Sequence, residues 1–221
     1  MKLKNIVNLM LSPFDCKIVR ITQKVQHDFD PLERNDVKTL EKLWGDPAFR
    51  KKYLSKQRQG LYEVVLSELQ SMQLFDQDCR LLDMGCGPGF FPKLLHDKNF
   101  VGSINGCDFS SQAVSLSSSL IPTGTFFEHD IYNPVPEKYD VIVCMETIEH
   151  LLHPEKALLN LADAAPNLIL TVPEGRKDSF RGHINLWTKQ SFEIFLGKVL
   201  PQKKIEVSEV ANEKNLLARI S

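Results

Sequence analysis

The sequence predicts a three-layer α/β fold: N-terminal helices followed by a mostly parallel seven-stranded sheet whose last strand is antiparallel. Three observations predict this fold. Beyond Gln77, short β-rich runs alternate with helical stretches, which is typical of parallel strands joined by crossover helices. Before Gln77, apolar residues recur at helical spacing, and near the end of the chain two strand-like runs follow each other too closely for a crossover.

Two helices are predicted ahead of the sheet. Apolar residues recur every three or four positions from Glu33 to Trp44 and again from Gly60 to Met72. The segment between them contains Pro47 and many cationic residues, so we expect a connection or lid over residues 45–59. We therefore divide the chain into an N-terminal helical elaboration, residues 1–76, and a domain that contains the sheet, residues 77–221.

Five runs have the length and composition of parallel strands: Arg80–Met84, Val101–Cys107, Thr125–His129, Tyr139–Met145 and Leu168–Val172. Helices are expected to begin near Phe90, at Ser110, at Pro154 and at Thr188, because hydroxyl side chains cap helices and proline suits the first turn. Four residues separate the final runs, Lys204–Val210 and Asn215–Ile220. These two runs should form an antiparallel hairpin at one side of the sheet.

Charge and cysteine content limit the class of protein. Lys+Arg 27 against Asp+Glu 28 leaves a formal net charge of -1, so no basic excess favours nucleic acid as a partner. The five cysteines form no CxxC pair, and the last four lie in or beside strand-like runs, which predicts buried thiols. Their odd number indicates a reducing compartment, so we expect a cytoplasmic protein. No run approaches the roughly 20 apolar residues of a membrane-spanning helix. The sequence does not indicate an oligomeric state.

The N-terminal residues 1–20 carry cations around the apolar stretch Ile6–Leu11, a pattern like that of a signal peptide. The stretch is too short for one, and Pro13 and Asp15 end it. We interpret the segment as a cap packed on the domain. An amphipathic segment that binds a membrane surface or a partner is the alternative.

The turn after the first predicted strand gives the strongest functional signal. Residues 81–89 are LLDMGCGPG, an apolar strand with Asp83 near its end, then three alternating glycines and a helix start. Such a turn lets the backbone approach a ligand closely and directs free helix amides at it. The GxGxG spacing differs from the GxGxxG of nicotinamide-cofactor proteins, because Phe90 stands where the third glycine would be. A pyrophosphate is therefore disfavoured, whereas Asp83 can balance a ligand ammonium.

Acidic residues also follow the next two predicted strands. Asp108 lies 25 residues after Asp83, where nucleoside-binding units place the acid that accepts the ribose hydroxyls. Asp130 can accept from an adenine amine while Ile131 covers the ring. Asp108 alone could simply cap the following helix, and Asp130 alone is undecided, but three acids at successive strand ends predict one nucleoside site.

At these motifs the chain resembles the class I S-adenosylmethionine-dependent methyltransferases, specifically the compact small-molecule group related to the ubiquinone-biosynthesis type. The resemblance covers Gln77 to Val199 and implies a Rossmann-like domain with S-adenosylmethionine as the cofactor. We assign the cofactor contacts to Asp83, Gly85, Cys86, Gly87, Asp108, Phe109, Asp130, Ile131 and Met145.

The fourth predicted strand runs into residues 146–151, ETIEHL, which are similar to the same family's fourth-strand signature and should face the transferable methyl group. If the acceptor is a hydroxyl, a base must take its proton. His150 is the first candidate and Glu146 the second, since their i,i+4 spacing puts both on one face if the segment is helical. Glu149, His183 and Trp187 are expected to contact the acceptor.

Alternatives stay open on the acceptor side. Four residues resemble the cation site of small-RNA 3′-terminal 2′-O-methyltransferases: Glu146, Glu149, His150 and His183. The same ExxEH string occurs in metal-free small-molecule enzymes, so we assign no metal. A related fold can also bind S-adenosylmethionine without turnover. We expect a small-molecule acceptor with a hydroxyl group. A loose resemblance of Leu9–Ile21 to methyltransferases of bacterial surface-glycan clusters points to a sugar.

Overall fold

The computed structural model describes residues 35–221. The cation-flanked N-terminal stretch, Cys16 and the segment Leu9–Ile21 lie outside the described residues. Three helices lead into the sheet: α1 (Val37–Gly45), α2 (Pro47–Tyr53) and α3 (Lys56–Ser71).

Residues 45–59 are largely helical, which corrects the prediction of a connection there. The Asp46 side chain caps α2 by accepting a hydrogen bond from the Ala48 amide at 2.8 Å. Pro47 occupies the first turn of α2, where its missing N–H would have no intrahelical partner anyway. Ser55 caps α3 in the same way. Pro47, interpreted from the sequence as a breaker, therefore begins a helix.

Within the described residues the sheet has seven strands, in the order β3-β2-β1-β4-β5-β7-β6. In chain order they are β1 (Arg80–Met84), β2 (Ser103–Asp108), β3 (Thr125–Glu128), β4 (Val141–Met145), β5 (Asn167–Pro173), β6 (Ile205–Val210) and β7 (Asn215–Ile220). The first five strands pair in parallel, whereas β7 pairs antiparallel with both β5 and β6. The predicted sheet and its C-terminal hairpin are confirmed.

The helices that follow the strands begin where the sequence predicts. They are α4 (Phe90–Asp97), α5 (Ser111–Leu120), α6 (Pro154–Ala164) and α7 (Lys189–Val199). Ser110 and Thr188 each accept a hydrogen bond from the helix they cap, and Pro154 occupies the first turn of α6.

The sheet is covered on both faces, because neighbouring strand residues point to opposite sides. Leu81 and Val141 pack in an apolar cluster with residues of α3 and α4, whereas Leu82 and Ile142 pack in a second cluster with residues of α6 and α7. The carboxyl ends of the parallel strands meet at one edge of this three-layer structure, which is where open α/β sheets bind ligands.

Four cysteines in the described part of the chain are buried free thiols, as predicted: Cys79, Cys86, Cys107 and Cys144. Among residues 35–221, no helix is both long and apolar enough to cross a bilayer.

Candidate cofactor and acceptor sites

The glycine turn between β1 and α4 has a backbone that only glycine tolerates. Gly85 has φ +77°, and a Cβ at this position would lie 2.5 Å from Oγ1 of Thr147. Strain and contact therefore both exclude a side chain. The carbonyl of Cys107 accepts hydrogen bonds from the amides of Gly85 and Cys86, at 2.8 and 3.0 Å, which fixes the turn to the end of β2.

Asp83 is buried near the end of β1 and lines a cavity at the carboxyl edge of the sheet. Burial, together with the nearby Asp108, raises the pKa of Asp83 to about 8. The cavity is also lined by Tyr53, Arg58, Tyr62, Gly85, Cys86, Phe91 and Met145. A buried carboxylate on a cavity wall is costly unless a cationic ligand group compensates it, so the site fits an ammonium.

Arg58 of α3 is the cation of this cavity, and the sequence did not single it out. Its guanidinium lies 4.3 Å from the ring centroid of Tyr53. Within the described residues it forms no ion pair with a carboxylate, and it also lines a second cavity together with Glu146 and Asn215. Asp83 and Arg58 thus offer opposite charges to one ligand, which suits the ammonium and carboxylate of an amino-acid moiety.

Asp108, the last residue of β2, holds the glycine turn. Its Oδ2 accepts from the Gly87 amide and its Oδ1 from the Ser110 amide, both at 2.9 Å. An ionised carboxylate has about four acceptor positions, so two stay available for hydroxyl groups. Burial raises the pKa of Asp108, while these backbone hydrogen bonds act in the opposite direction. Phe109, the next residue, is half-buried.

The third acid lies beyond β3, next to the end of β2. The amide of His129 donates to the carbonyl of Asp108 at 2.9 Å, which extends the β2–β3 ladder to the residue before Asp130. Asp130 is exposed and accepts from the Tyr132 amide at 2.9 Å, whereas Ile131 is buried in the core. The three predicted acids therefore lie at or just beyond the carboxyl ends of three adjacent strands: Asp83 in β1, Asp108 at the end of β2 and Asp130 after β3.

The segment after β4 does not form the helix that would align Glu146 with His150. The Glu146 amide still donates to the Thr171 carbonyl of β5 at 2.9 Å, and Glu146 has a left-handed φ of +50°. Only Ile148–His150 form a single 3₁₀ turn. The Glu146 carboxylate accepts from Thr171 Oγ1 at 3.2 Å and from Asn215 Nδ2 at 3.0 Å. The expected shared helical face is thus wrong, because strand pairing extends through residue 146.

Glu149, His150 and His183 come together, with their potential ligand atoms all within 4.8 Å of one another. Oε1 of Glu149 lies 3.9 Å from His150 Nε2 and 3.8 Å from His183 Nε2, which is too long for direct hydrogen bonds. Both oxygens of this buried carboxylate lack a hydrogen-bond partner among the described residues. Burial, followed by the charge of Glu146, raises the pKa of Glu149 well above its ordinary value.

The two imidazoles of this cluster are held at their other nitrogens. His150 Nδ1 lies 3.2 Å from the Gly182 carbonyl, and His183 Nδ1 lies 2.5 Å from Oδ2 of Asp178, a residue that the sequence did not single out. Burial, and then the neighbouring His183, lower the pKa of His150 to about 4. His150 is therefore neutral at pH 7.

Trp187 is buried on the α7 side of the sheet. Its ring centroid lies 5.3 Å from that of Phe192 and 5.2 Å from that of Phe195. Its carbonyl accepts from the Gly175 amide at 2.8 Å, which ties down the loop after β5. A contact between Trp187 and the acceptor stays a prediction.

The chain matches known methyltransferases in both sequence and fold. A family model described as a methyltransferase domain matches residues 53–196. A ubiquinone biosynthesis O-methyltransferase of Azoarcus sp. (strain BH72) is 25% identical over 150 residues, which cover 62% of this chain and 58% of that protein. A trans-aconitate 2-methyltransferase of Escherichia coli O45:K1 (strain S88 / ExPEC) is 35% identical over 72 residues, 32% of this chain and 29% of that protein. The chain thus spans less than two thirds of these relatives.

Two solved structures illustrate the shared fold. The methyltransferase domain of bacterial CtHen1-C superposes with a TM-score of 0.61 at 18% identity, covering 75% of this chain and 98% of that chain. Magnesium protoporphyrin IX methyltransferase from Synechocystis PCC 6803, with bound S-adenosylhomocysteine, superposes with a TM-score of 0.60 at 18% identity, covering 81% of this chain and 90% of that chain. The family model covers more than half of the 221 residues. The chain therefore belongs to the methyltransferase-domain family, within the class I S-adenosylmethionine-dependent methyltransferases.

Proposed function

We propose that the chain transfers a methyl group from S-adenosylmethionine to a hydroxyl group of a small-molecule acceptor in the cytoplasm. The observation that carries the proposal is the cluster of Glu149, His150 and His183 beside the cofactor turn. Thr147, which lies two residues before Glu149, packs directly against Gly85 of that turn. This contact supports the proposal that groups able to accept a proton lie next to the methyl donor.

The proposed cofactor contacts follow the charges of the first cavity. Asp83 pairs with the ammonium of the methionine moiety, Arg58 with its carboxylate, and Asp108 accepts from the ribose hydroxyls. Asp130 and Ile131 bind the adenine. The remaining contacts in the proposal are Gly85, Cys86, Gly87, Phe109 and Met145. When bound, S-adenosylmethionine supplies a methyl group on an activated sulfonium.

His150 is the proposed base. Its neutral imidazole can take the proton of the acceptor hydroxyl once that oxygen is aligned with the methyl group. Glu149 and His183 complete the acceptor side. Glu146 is proposed to contact the acceptor from the second cavity, which it lines while Thr171 and Asn215 hold its carboxylate.

The second cavity favours a polar acceptor. It is lined by Ser55, Gln57, Arg58, Leu61, Glu146 and Asn215, so five of its six lining residues are polar or charged. Such a lining offers hydrogen bonds to a hydroxyl-rich molecule and little apolar surface to a prenylated one. We therefore propose a sugar or glycan precursor ahead of a quinone precursor.

The direct test combines binding with turnover. In calorimetry the protein should bind S-adenosylhomocysteine and not NAD, because the turn has GxGxG spacing and Asp83 faces the cavity. It should also release S-adenosylhomocysteine from S-adenosylmethionine when sugar nucleotides, phenols and quinone precursors are offered in turn. Binding of NAD without either sulfur nucleoside would contradict the proposal. Binding without turnover on any acceptor would indicate a non-catalytic module.

Replacing Asp108 with alanine should weaken S-adenosylhomocysteine binding about 30- to 150-fold. The change removes a charged acceptor from two ribose hydroxyls, a loss of about 2–3 kcal/mol. Calorimetry measures the dissociation constant, with Asp163→Ala as the control because Asp163 is exposed and pairs with Lys138 on the surface. An unchanged constant in folded Asp108→Ala would show that Asp108 serves only the turn.

Cofactor affinity should depend on pH through Asp83. Its pKa of about 8 means that the carboxyl is mostly protonated at pH 7, whereas an ammonium ligand requires the ionised form. Affinity for S-adenosylhomocysteine should thus rise about tenfold per pH unit up to about pH 8 and then level off. Calorimetry at pH 7 should also detect a released proton. Asp83→Asn should flatten the profile, and a flat wild-type profile would contradict this role.

A divalent cation held by Glu149, His150 and His183 is a second candidate for activating the acceptor. The unpartnered buried carboxylate favours it, and carboxylate and imidazole ligands together suit several divalent ions. A cation would polarise the acceptor hydroxyl in place of a base. The bacterial CtHen1-C domain shares the fold at 18% identity, and the near-zero net charge still argues against RNA as the acceptor.

A further inference from the structure

We propose that Asp178 is a positioning residue that fixes the tautomer of His183 and thereby presents the Nε2 lone pair of His183 to Glu149. The inference rests on the proposed role of the Glu149, His150 and His183 cluster. It adds to that role the group that makes His183 an electron-pair donor at this site.

The Asp178 carboxylate is rigidly held and shielded. Its Oδ1 accepts from the Phe180 amide at 2.9 Å, and its own amide donates to the Glu174 carbonyl at 3.0 Å. The other oxygen, Oδ2, lies 2.5 Å from His183 Nδ1. The side chains of Asp178 and His183 are only 6% and 10% exposed, so water competes little for this hydrogen bond.

The chemistry of the two partners sets the tautomer. An ionised carboxylate only accepts hydrogen bonds, so the shared hydrogen belongs to His183 Nδ1. In the neutral imidazole, Nε2 then carries the lone pair, and this atom faces Oε1 of Glu149 at 3.8 Å. Carboxylates hold metal-binding and catalytic histidines in the same way.

The Gly182 carbonyl fixes the tautomer of His150 in the same way. The carbonyl oxygen of Gly182 lies within hydrogen-bonding distance of His150 Nδ1, and a carbonyl also only accepts. Both Nε2 lone pairs and the unpartnered Glu149 carboxylate therefore converge as acceptors. Such a set suits a cation or the proton of an acceptor hydroxyl, and it is lost if His183 carries its hydrogen on Nε2.

The test is Asp178→Asn, which keeps the size of the side chain. The carbonyl oxygen of the new amide would still accept from the Phe180 amide, so its NH₂ group would take the place of Oδ2 and donate to His183 Nδ1. The hydrogen of His183 should then move to Nε2. Long-range ¹H–¹⁵N NMR of labelled imidazoles measures this, with the His183 signals assigned from His183→Gln. Asp163→Asn is the matched control, since that carboxylate is 80% exposed and pairs with Lys138.

Wild-type protein should show His183 protonated at Nδ1, Asp178→Asn should show it at Nε2, and Asp163→Asn should match wild type. Mn²⁺ affinity, measured by electron paramagnetic resonance, should fall about 10- to 100-fold in Asp178→Asn. Affinity for S-adenosylhomocysteine should stay within about twofold, which also reports that the variant is folded. If Asp178→Asn does not fold, Asp178→Ala should give a mixture of tautomers.

The outcomes separate this inference from the proposed function. Wild-type protein with His183 protonated at Nε2, or an unchanged tautomer in either folded Asp178 variant, would overturn the role of Asp178. Wild-type protein that binds no Mn²⁺, with the tautomer still inverted in Asp178→Asn, would support the role of Asp178 and reject only the cation. Wild-type protein that does not bind S-adenosylhomocysteine would contradict the proposed function itself.

Discussion

Replacing His150 with alanine is expected to lower kcat about 10²- to 10⁴-fold while leaving the affinity for S-adenosylhomocysteine nearly unchanged. The imidazole belongs to the Glu149 cluster and not to the cavity that Asp83 lines. Its loss therefore removes the proton acceptor without touching the proposed cofactor contacts. Single-turnover rates and calorimetry on the same preparation measure the two quantities separately.

The pH dependence of the wild-type rate supports or rejects the same role. The pKa of about 4 means that His150 is neutral and able to accept a proton from neutral pH down to about pH 5. The rate should then fall as the pH drops through about 4, because the protonated imidazole cannot act as a base. His96→Ala is the control, since His96 is an exposed residue of α4. Full turnover in His150→Ala would reduce His150 to a packing residue.

Most of the fold could be predicted because its signals are local. The bounds of β1 and β7 are the predicted ones, since each strand is marked by its apolar pattern, and α7 begins where the cap Thr188 predicts it. The connection predicted over residues 45–59 was wrong because Pro47 has two opposite meanings, whereas the lid stays a prediction. Proline breaks a helix in its interior and favours its first turn, and only the cap formed by Asp46 decides between them.

The cofactor turn could also be predicted because its signals are local in the sequence. Much of the acceptor side depends instead on contacts between residues far apart in the chain. Asp83 and Gly85 belong to one strand–turn–helix unit. Glu146 receives a hydrogen bond from Asn215, 69 positions away, and strand pairing with β5 removes the helical face expected for Glu146 and His150. No periodicity in the sequence reports such pairings.

Arg58 illustrates a different limit. It is one of many cations in a segment without clear periodicity. Only the packing of α3 against the sheet brings its guanidinium into the same cavity as Asp83, and no local pattern in the sequence reports this packing.

Replacing Glu149 with glutamine is expected to make the cation-free protein more stable at pH 8 and to lower kcat about 10²- to 10³-fold. Burial raises the pKa of Glu149 above its ordinary value of about 4.3. The folded state therefore binds a proton more tightly than the unfolded state does. Stability is fully present below about pH 4.3 and is lost as the pH rises through the folded pKa. Glutamine does not ionise, so the variant avoids this loss.

Thermal unfolding at pH 5 and pH 8 measures the difference. The gain in Tm of Glu149→Gln over wild type should be larger at pH 8 than at pH 5, because the wild-type protein loses stability progressively as the pH rises above about 4.3. Glu63→Gln is the control, because Glu63 is half-exposed and pairs with Lys98 on the surface. A Tm difference that is the same at both pH values would contradict the assignment of an unpaired buried carboxylate.

Added Mn²⁺ then distinguishes the two ways of activating the acceptor. If the cluster holds a cation, a concentration 100 times the dissociation constant stabilises the wild-type protein by about 2.7 kcal/mol and leaves Glu149→Gln unchanged. A chelator should then abolish wild-type turnover, because the ion polarises the acceptor hydroxyl. If Mn²⁺ changes the stability of neither protein and the chelator has no effect, the cluster holds no cation. The imidazole is then the proton acceptor of the reaction.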